Sequence, residues 1–162
     1  MKLVSIFLSV LFVAVLPDLA SVRQKYISAS TSAQAAEQLH DMLEKVDDNS
    51  KDYTMVAYKA AALTLKAKYA SGLLTKKNLF TKGATLLENT VAKDADNYEV
   101  RLIRLNIQEN APRITGYNKK IAEDKAFLIK HYSHQQADLK EFTRNFVKMS
   151  SSFTKEEKAS FK

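Results

Sequence analysis

Arg101, Arg104 and Gln108 stand three and four residues apart, a spacing that places them on one face of a helix. Two guanidinium forks beside an amide are suited to gripping a carboxylate, so such a stripe would hold an acidic side chain or the C-terminus of a partner peptide. The same stripe has an intramolecular use. Glu99, Glu109, Glu123 and Asp124 are acids within reach in sequence, and Asp124 falls on the inward side of its own helix. The choice between partner and self is therefore a choice between a binding site and an internal clamp.

A second chemical feature is the distribution of charge. The net charge is +7, and between Tyr53 and Leu87 there are six lysines (59, 66, 68, 76, 77 and 82) and no acid. Lys59 and Lys66 border one side of an apolar helical stripe and Lys68 borders the other. A face of this kind attracts an anionic envelope surface or an acidic polymer. Its bland counterpart is a solvated face whose lysine stems cover the edge of the core. Nucleic acid is not an expected partner, because few arginines accompany these lysines and the leader described below points out of the nucleic-acid compartment.

Other groups offer less. His131, His134 and Asp138 would align three ligands only on an uninterrupted helix, and Ser133 with Gln136 has the spacing of a capping box that would break it. His40 stands by itself on the first helix of the domain. Asp47, Asp48, Asn49 and Asp52 lack the central glycine and terminal glutamate of a calcium loop. With no Cys in the chain, thiol catalysis, thiolate metal sites and disulfides are excluded. There is no Gly-rich phosphate loop and no nucleophile elbow. No enzyme activity, metal or cofactor is expected.

These groups must be positioned by something, and the chain's 162 residues amount to one domain. Lys2 followed by an apolar run from Leu3 to Leu16 and then Pro17 has the layout of a signal peptide over residues 1–20. The run is short of the ~20 residues a spanning helix needs. Export to the periplasm or medium is the expectation, with retention as an N-terminal membrane anchor the alternative. Residues 21–31 are small and polar and read as a linker, leaving a helical domain over 32–162.

Within that domain apolar residues recur at helical spacing. Ala35, Leu39, Met42, Leu43 and Val46 form one stripe, and Met55, Tyr58, Ala62, Leu65 and Tyr69 form the next. Gly72 is a candidate left-handed cap. A helix is expected over 76–92 with Gly83 at a tight crossing, where a side chain would obstruct a neighbour. The helix from Tyr98 to about Ala111 is apolar on two sides: Tyr98, Leu102 and Leu105 on one, Val100, Ile103 and Ile107 on the other. Neighbours on both sides would explain that. Further helices carry Ile121, Leu128, Ile129 and Tyr132, then Leu139, Phe142, Phe146, Met149 and Phe153. Thr154 with Glu157 predicts a short capped helix at the end. With 3 Gly and 2 Pro and no strand-like alternation, the fold class is all-α: five or six helices in antiparallel pairs.

The junction from Leu86-Leu87-Glu88 through Val91-Ala92-Lys93-Asp94-Ala95-Asp96-Asn97-Tyr98-Glu99-Val100 resembles the join between tetratricopeptide repeats. Ala57 and Tyr58 sit in a comparable small-plus-aromatic context, while Ala95 stands where that family favours proline. The segment carrying Glu99, Arg101, Leu102, Arg104, Ile107, Gln108, Asn110, Pro112, Tyr117, Asp124 and Lys125 is similar to small exported proteins of the Bacteroidota. The first resemblance implies a helical-repeat scaffold for protein binding. The second implies an exported location and helical architecture.

The sequence thus predicts an exported, non-catalytic binding module. Arg101, Arg104 and Gln108 would hold an acidic or C-terminal peptide segment, and Lys59, Lys66 and Lys68 would face an anionic surface. The alternative is a ligand-free structural or self-associating component of the cell envelope.

Overall fold

The computed structural model describes residues 17–162; most of the leader read at 1–20 lies outside them. Among the described residues there is no strand. These residues form eight α-helices: α1 (Leu19–Ala29), α2 (Ala33–Leu43), α3 (Tyr53–Tyr69), α4 (Leu73–Lys93), α5 (Tyr98–Asn110), α6 (Ile121–His131), α7 (Ala137–Met149) and α8 (Lys155–Lys158). From α1 to α6 each helix packs against the next, α3 against α4 most extensively, and α7 packs on α5. No described helix is long and apolar enough to cross a membrane.

The count exceeds the expected five or six for two reasons. One is the stretch 21–31, expected as a linker, most of which is α1. Its Val22, Tyr26 and Ala29 are buried at steps of four and three, a narrow stripe hidden among Ser, Gln and Lys. Asp18 caps it, accepting from the Ser21 backbone N–H at 2.9 Å. The other is the brief α8, which carries the expected capping box between Thr154 and Glu157. Ser32, Asp52 and Asn97 likewise accept from backbone N–H groups at the starts of α2, α3 and α5. Ser133 does not cap: a 3-10 turn over Tyr132–His134 follows α6, and α7 restarts behind Gln136. Gly72 does have a left-handed-region φ of 82°, but it leads into α4 instead of closing α3.

Two apolar cores meet at α5. Val100, Ile103 and Ile107 belong to the core formed with α1, α2, α3 and α4. Tyr98, Leu102 and Leu105 belong to the second, with Leu128, Tyr132, Val147, Phe153 and Phe161. The two stripes on this helix therefore divide between two sets of neighbours. That makes α5 the axis on which both halves are built, and every polar side chain it carries between them needs a partner.

The α3–α4 contact is unusually intimate. Ala57, Ala60, Ala61 and Ala62 are fully buried on α3, and Gly83 of α4 sits against Ala60, Leu63 and Thr64. A Cβ at Gly83 would lie 2.6 Å from the Ala60 carbonyl oxygen and 2.8 Å from Thr64 Cγ2. The glycine thus marks the crossing at which one helix backbone rests on the other.

Candidate functional site

The carboxylate that Arg101, Arg104 and Gln108 grip is Asp124. Arg104 Nε and Nη2 donate to its two oxygens at 2.7 and 2.6 Å. Arg101 Nη1 donates at 2.9 Å and Gln108 Nε2 at 2.9 Å. Asp124 is fully buried, so four donors compensate the loss of water around one charge. Each arginine has further acids: Glu123 lies 2.6 Å from Arg101 Nη1 and Glu88 3.1 Å from Arg104 Nη1. Gln108 uses its other end as well, accepting from the Lys120 backbone N–H at 2.8 Å. That bond ties the start of α6 to the middle of the protein.

Two members of this cluster are held in their charged forms. Burial works against the Arg104 guanidinium, but hydrogen bonds and charge from Asp124 and Glu88 outweigh it, and its pKa rises. Hydrogen bonds from Lys120 and then Arg101 pull the Glu123 carboxyl down to about 2. On the far side of Glu88, Tyr117 donates its hydroxyl to Oε1 at 2.5 Å. The stripe is therefore occupied by the chain's own acids, and its arginines turn inward onto α6.

A second clamp gathers α1, α3, α5 and α7. Arg23 Nε and Nη2 form a two-pronged pair with Glu99, both at 2.7 Å, and its Nη1 reaches Asp138 at 2.6 Å. Tyr58 donates to Glu99 Oε1 at 2.6 Å, so the buried Glu99 on α5 is met from α1 and α3. Burial, followed by the charge of Glu99, pushes the Tyr58 phenol well above its ordinary pKa. Tyr98 makes the opposite case: among the described residues its buried hydroxyl makes no well-formed hydrogen bond, and the neighbouring Thr143 donates its own hydroxyl to the Leu139 carbonyl. Replacing Tyr58 with Phe is expected to cost about 1.5–3 kcal/mol, the range for a hydrogen bond to a charged group. Replacing Tyr98 with Phe is expected to be neutral or mildly stabilising, because it deletes an unmet polar group. Paired urea melts check the contrast.

The lysines separate into two kinds. Lys59 pairs with Asp48 at 2.7 Å and Lys66 with Glu37 at 2.7 Å. Lys68 instead donates to the Ser30 carbonyl at 2.7 Å, which leaves its charge unneutralised. Lys76 donates to the Lys68 carbonyl at 3.3 Å, and Lys77 is exposed with no ion pair among the described residues. Lys68, Lys76 and Lys77 all lie where α3 turns into α4. Lys68 and Tyr69 both donate to Ser30, which brings the last turn of α1 to the same end. Neither 19–36 nor 53–87 contains an acid, and Glu37 just beyond is taken by Lys66. This end of the bundle is cationic without internal compensation.

The same end is apolar at its tip. Leu73 is 85% exposed and Leu74 70%, with Ile27 of α1 at 54%. The expected helix over 76–92 left out both leucines and missed their exposure. The signal was present in Gly72-Leu73-Leu74-Thr75-Lys76-Lys77, two leucines at a turn where no stripe asks for them.

The remaining groups form smaller arrangements. α6 ends at His131, whose ring lies 4.4 Å from that of Phe127, and Asp138 is held by Arg23, so the three do not converge. Asp47 accepts from the Asn49 backbone N–H at 2.9 Å, an Asx turn. Glu37, His40 and Asp41 on α2 bring three ligand atoms within 4.8 Å of one another, though Lys66 already neutralises Glu37. Two shallow hollows of about 170 and 300 Å³ lie beside Glu109 and beside Lys82. No family model, no curated protein and no solved structure matches this chain.

Proposed function

We propose that this protein is an exported, non-catalytic helical binding module that engages an anionic partner through the α3–α4 end. The observation that carries the reading is the uncompensated charge of Lys68, Lys76 and Lys77 at one acid-free end. Lys59, Lys66, Arg101 and Arg104, by contrast, close on internal acids. Lys59 and Lys66 contribute stem packing and local pairing. Arg101, Arg104 and Gln108 act as a clamp that fixes α6 to α5, and a partner's carboxylate would have to displace Asp124 to reach them. Lys2 and the apolar run 3–16 support export. The paired helices and the α4–α5 junction support a scaffold of the tetratricopeptide kind.

Charge reversal tests this reading with a built-in control. The triple variant Lys68→Glu, Lys76→Glu, Lys77→Glu is compared with Lys119→Glu, Lys130→Glu, Lys148→Glu, which makes the same change in net charge with exposed lysines elsewhere. On immobilised polyglutamate the first triple is expected to elute at much lower salt than the second. Equal elution of the two triples would mean that net charge alone, not this end, drives binding.

A further inference from the structure

The exposed leucines give the cationic end a more specific partner. Leu73 and Leu74 open α4 on its first turn, and Lys76 and Lys77 follow immediately. Lys68 flanks them from the last turn of α3, with its ammonium 5.3 Å from the centroid of the Tyr69 ring. Ile27 adds a third exposed apolar side chain from α1, whose C-terminal turn is joined to this end through Ser30. A soluble acidic peptide would account for the lysines but not for two adjacent leucines left 85% and 70% exposed. Exposed apolar side chains ringed by cations, with an aromatic at the margin, are the composition of a surface that meets lipid. The helix adds to this: the first turn of α4 has neither a side-chain cap nor an acid, so its unpaired backbone N–H groups face outward with the lysines.

We propose that this end docks on an anionic lipid bilayer, with Leu73 and Leu74 entering the boundary between headgroups and acyl chains while Lys68, Lys76 and Lys77 meet lipid phosphates. The proposal rests on the anionic-partner reading above and names the partner. Two forces of different kind act together. Lysines near an anionic leaflet add attraction that salt screens. Leucines add an apolar contribution that salt does not remove. Neither suffices alone, so binding is reversible and depends on lipid charge.

The chain contains no Trp, so Leu74→Trp installs a single reporter at the tip, and Met149→Trp places one at a distant exposed site. The full chain is titrated with vesicles of phosphatidylcholine alone and with vesicles containing phosphatidylglycerol. The expected result is a blue shift and quenching by bromolipid for Leu74→Trp on the anionic vesicles only, and neither for Met149→Trp. The double variant Leu73→Ser, Leu74→Ser is expected to weaken vesicle binding about tenfold or more. Its melting temperature and polyglutamate elution should stay unchanged, because both side chains are exposed. If the triple lysine reversal loses polyglutamate binding but anionic vesicles leave the Leu74→Trp emission unmoved, the bilayer proposal fails and the anionic-partner reading stands. If lysine reversal changes neither polyglutamate nor vesicle binding, both fail. A shift of equal size on neutral vesicles also overturns the proposal, since it removes the lysines from the mechanism.

Discussion

Replacing Arg104 with Ala is expected to destabilise the protein by about 3–5 kcal/mol, the cost of breaking a buried pair from one side. Asp124 would remain fully buried after losing its two-pronged partner, with only Arg101 and Gln108 left at 2.9 Å. For a domain of this size the melting temperature should fall by roughly 10 °C. The origin of the loss can be isolated. In the double variant Arg104→Met, Asp124→Leu no charge is stranded, so it should recover much of the stability. The two single changes should therefore be strongly non-additive. A small effect of Arg104→Ala on thermal stability would mean that the guanidinium is not needed to hold Asp124, and would reopen the stripe as a site for a partner.

Gly83→Ala is the second large effect. Alanine improves helix propensity by about 1 kcal/mol, which in an unencumbered helix would stabilise. Here the new methyl would sit 2.6 Å from a backbone oxygen of the opposite helix, which no side-chain rotation can relieve. Separating α3 from α4 would loosen the fully buried alanines on α3, so overpacking should cost about 3 kcal/mol or more and the net change should be clearly destabilising. Gly116→Ala is the comparison. A Cβ there meets nothing within 4 Å, and only the positive φ of 63° opposes it, so a loss of about 1 kcal/mol is expected. Denaturant midpoints for the two variants separate steric from conformational cost.

Much of the fold was legible because periodicity is a local property. The two stripes on Tyr98–Asn110 were readable as a helix between neighbours, and Gly83 as a crossing, since each follows from spacing and residue size. α1 was obscured because its buried stripe is narrow and its most important residue is charged. Nothing near Arg23 in sequence hints that Glu99 and Asp138 will neutralise it. The same limit governed the site. Spacing put Arg101, Arg104 and Gln108 on one face and offered Asp124 as an acid of their own chain, but which acid closes on them depends on how α6 folds back. For the lysines, sequence counts charges and leaves pairing open: Lys59 and Lys66 find acids on other elements while Lys68 does not. Leu73 and Leu74 were missed because exposure is a property of the assembled bundle.

The Arg23 clamp bears on the order in which the chain is completed. Its partners stand 76 and 115 residues further along, so closing these contacts requires long loops to be brought together. During synthesis α1 emerges well before either acid exists. It can coil early, but its guanidinium has no lasting place until α5 and then α7 have been made. Among the described helices, α1 can thus be packed early against α2 and α3, while its one buried ion cluster is completed only when the later helices arrive.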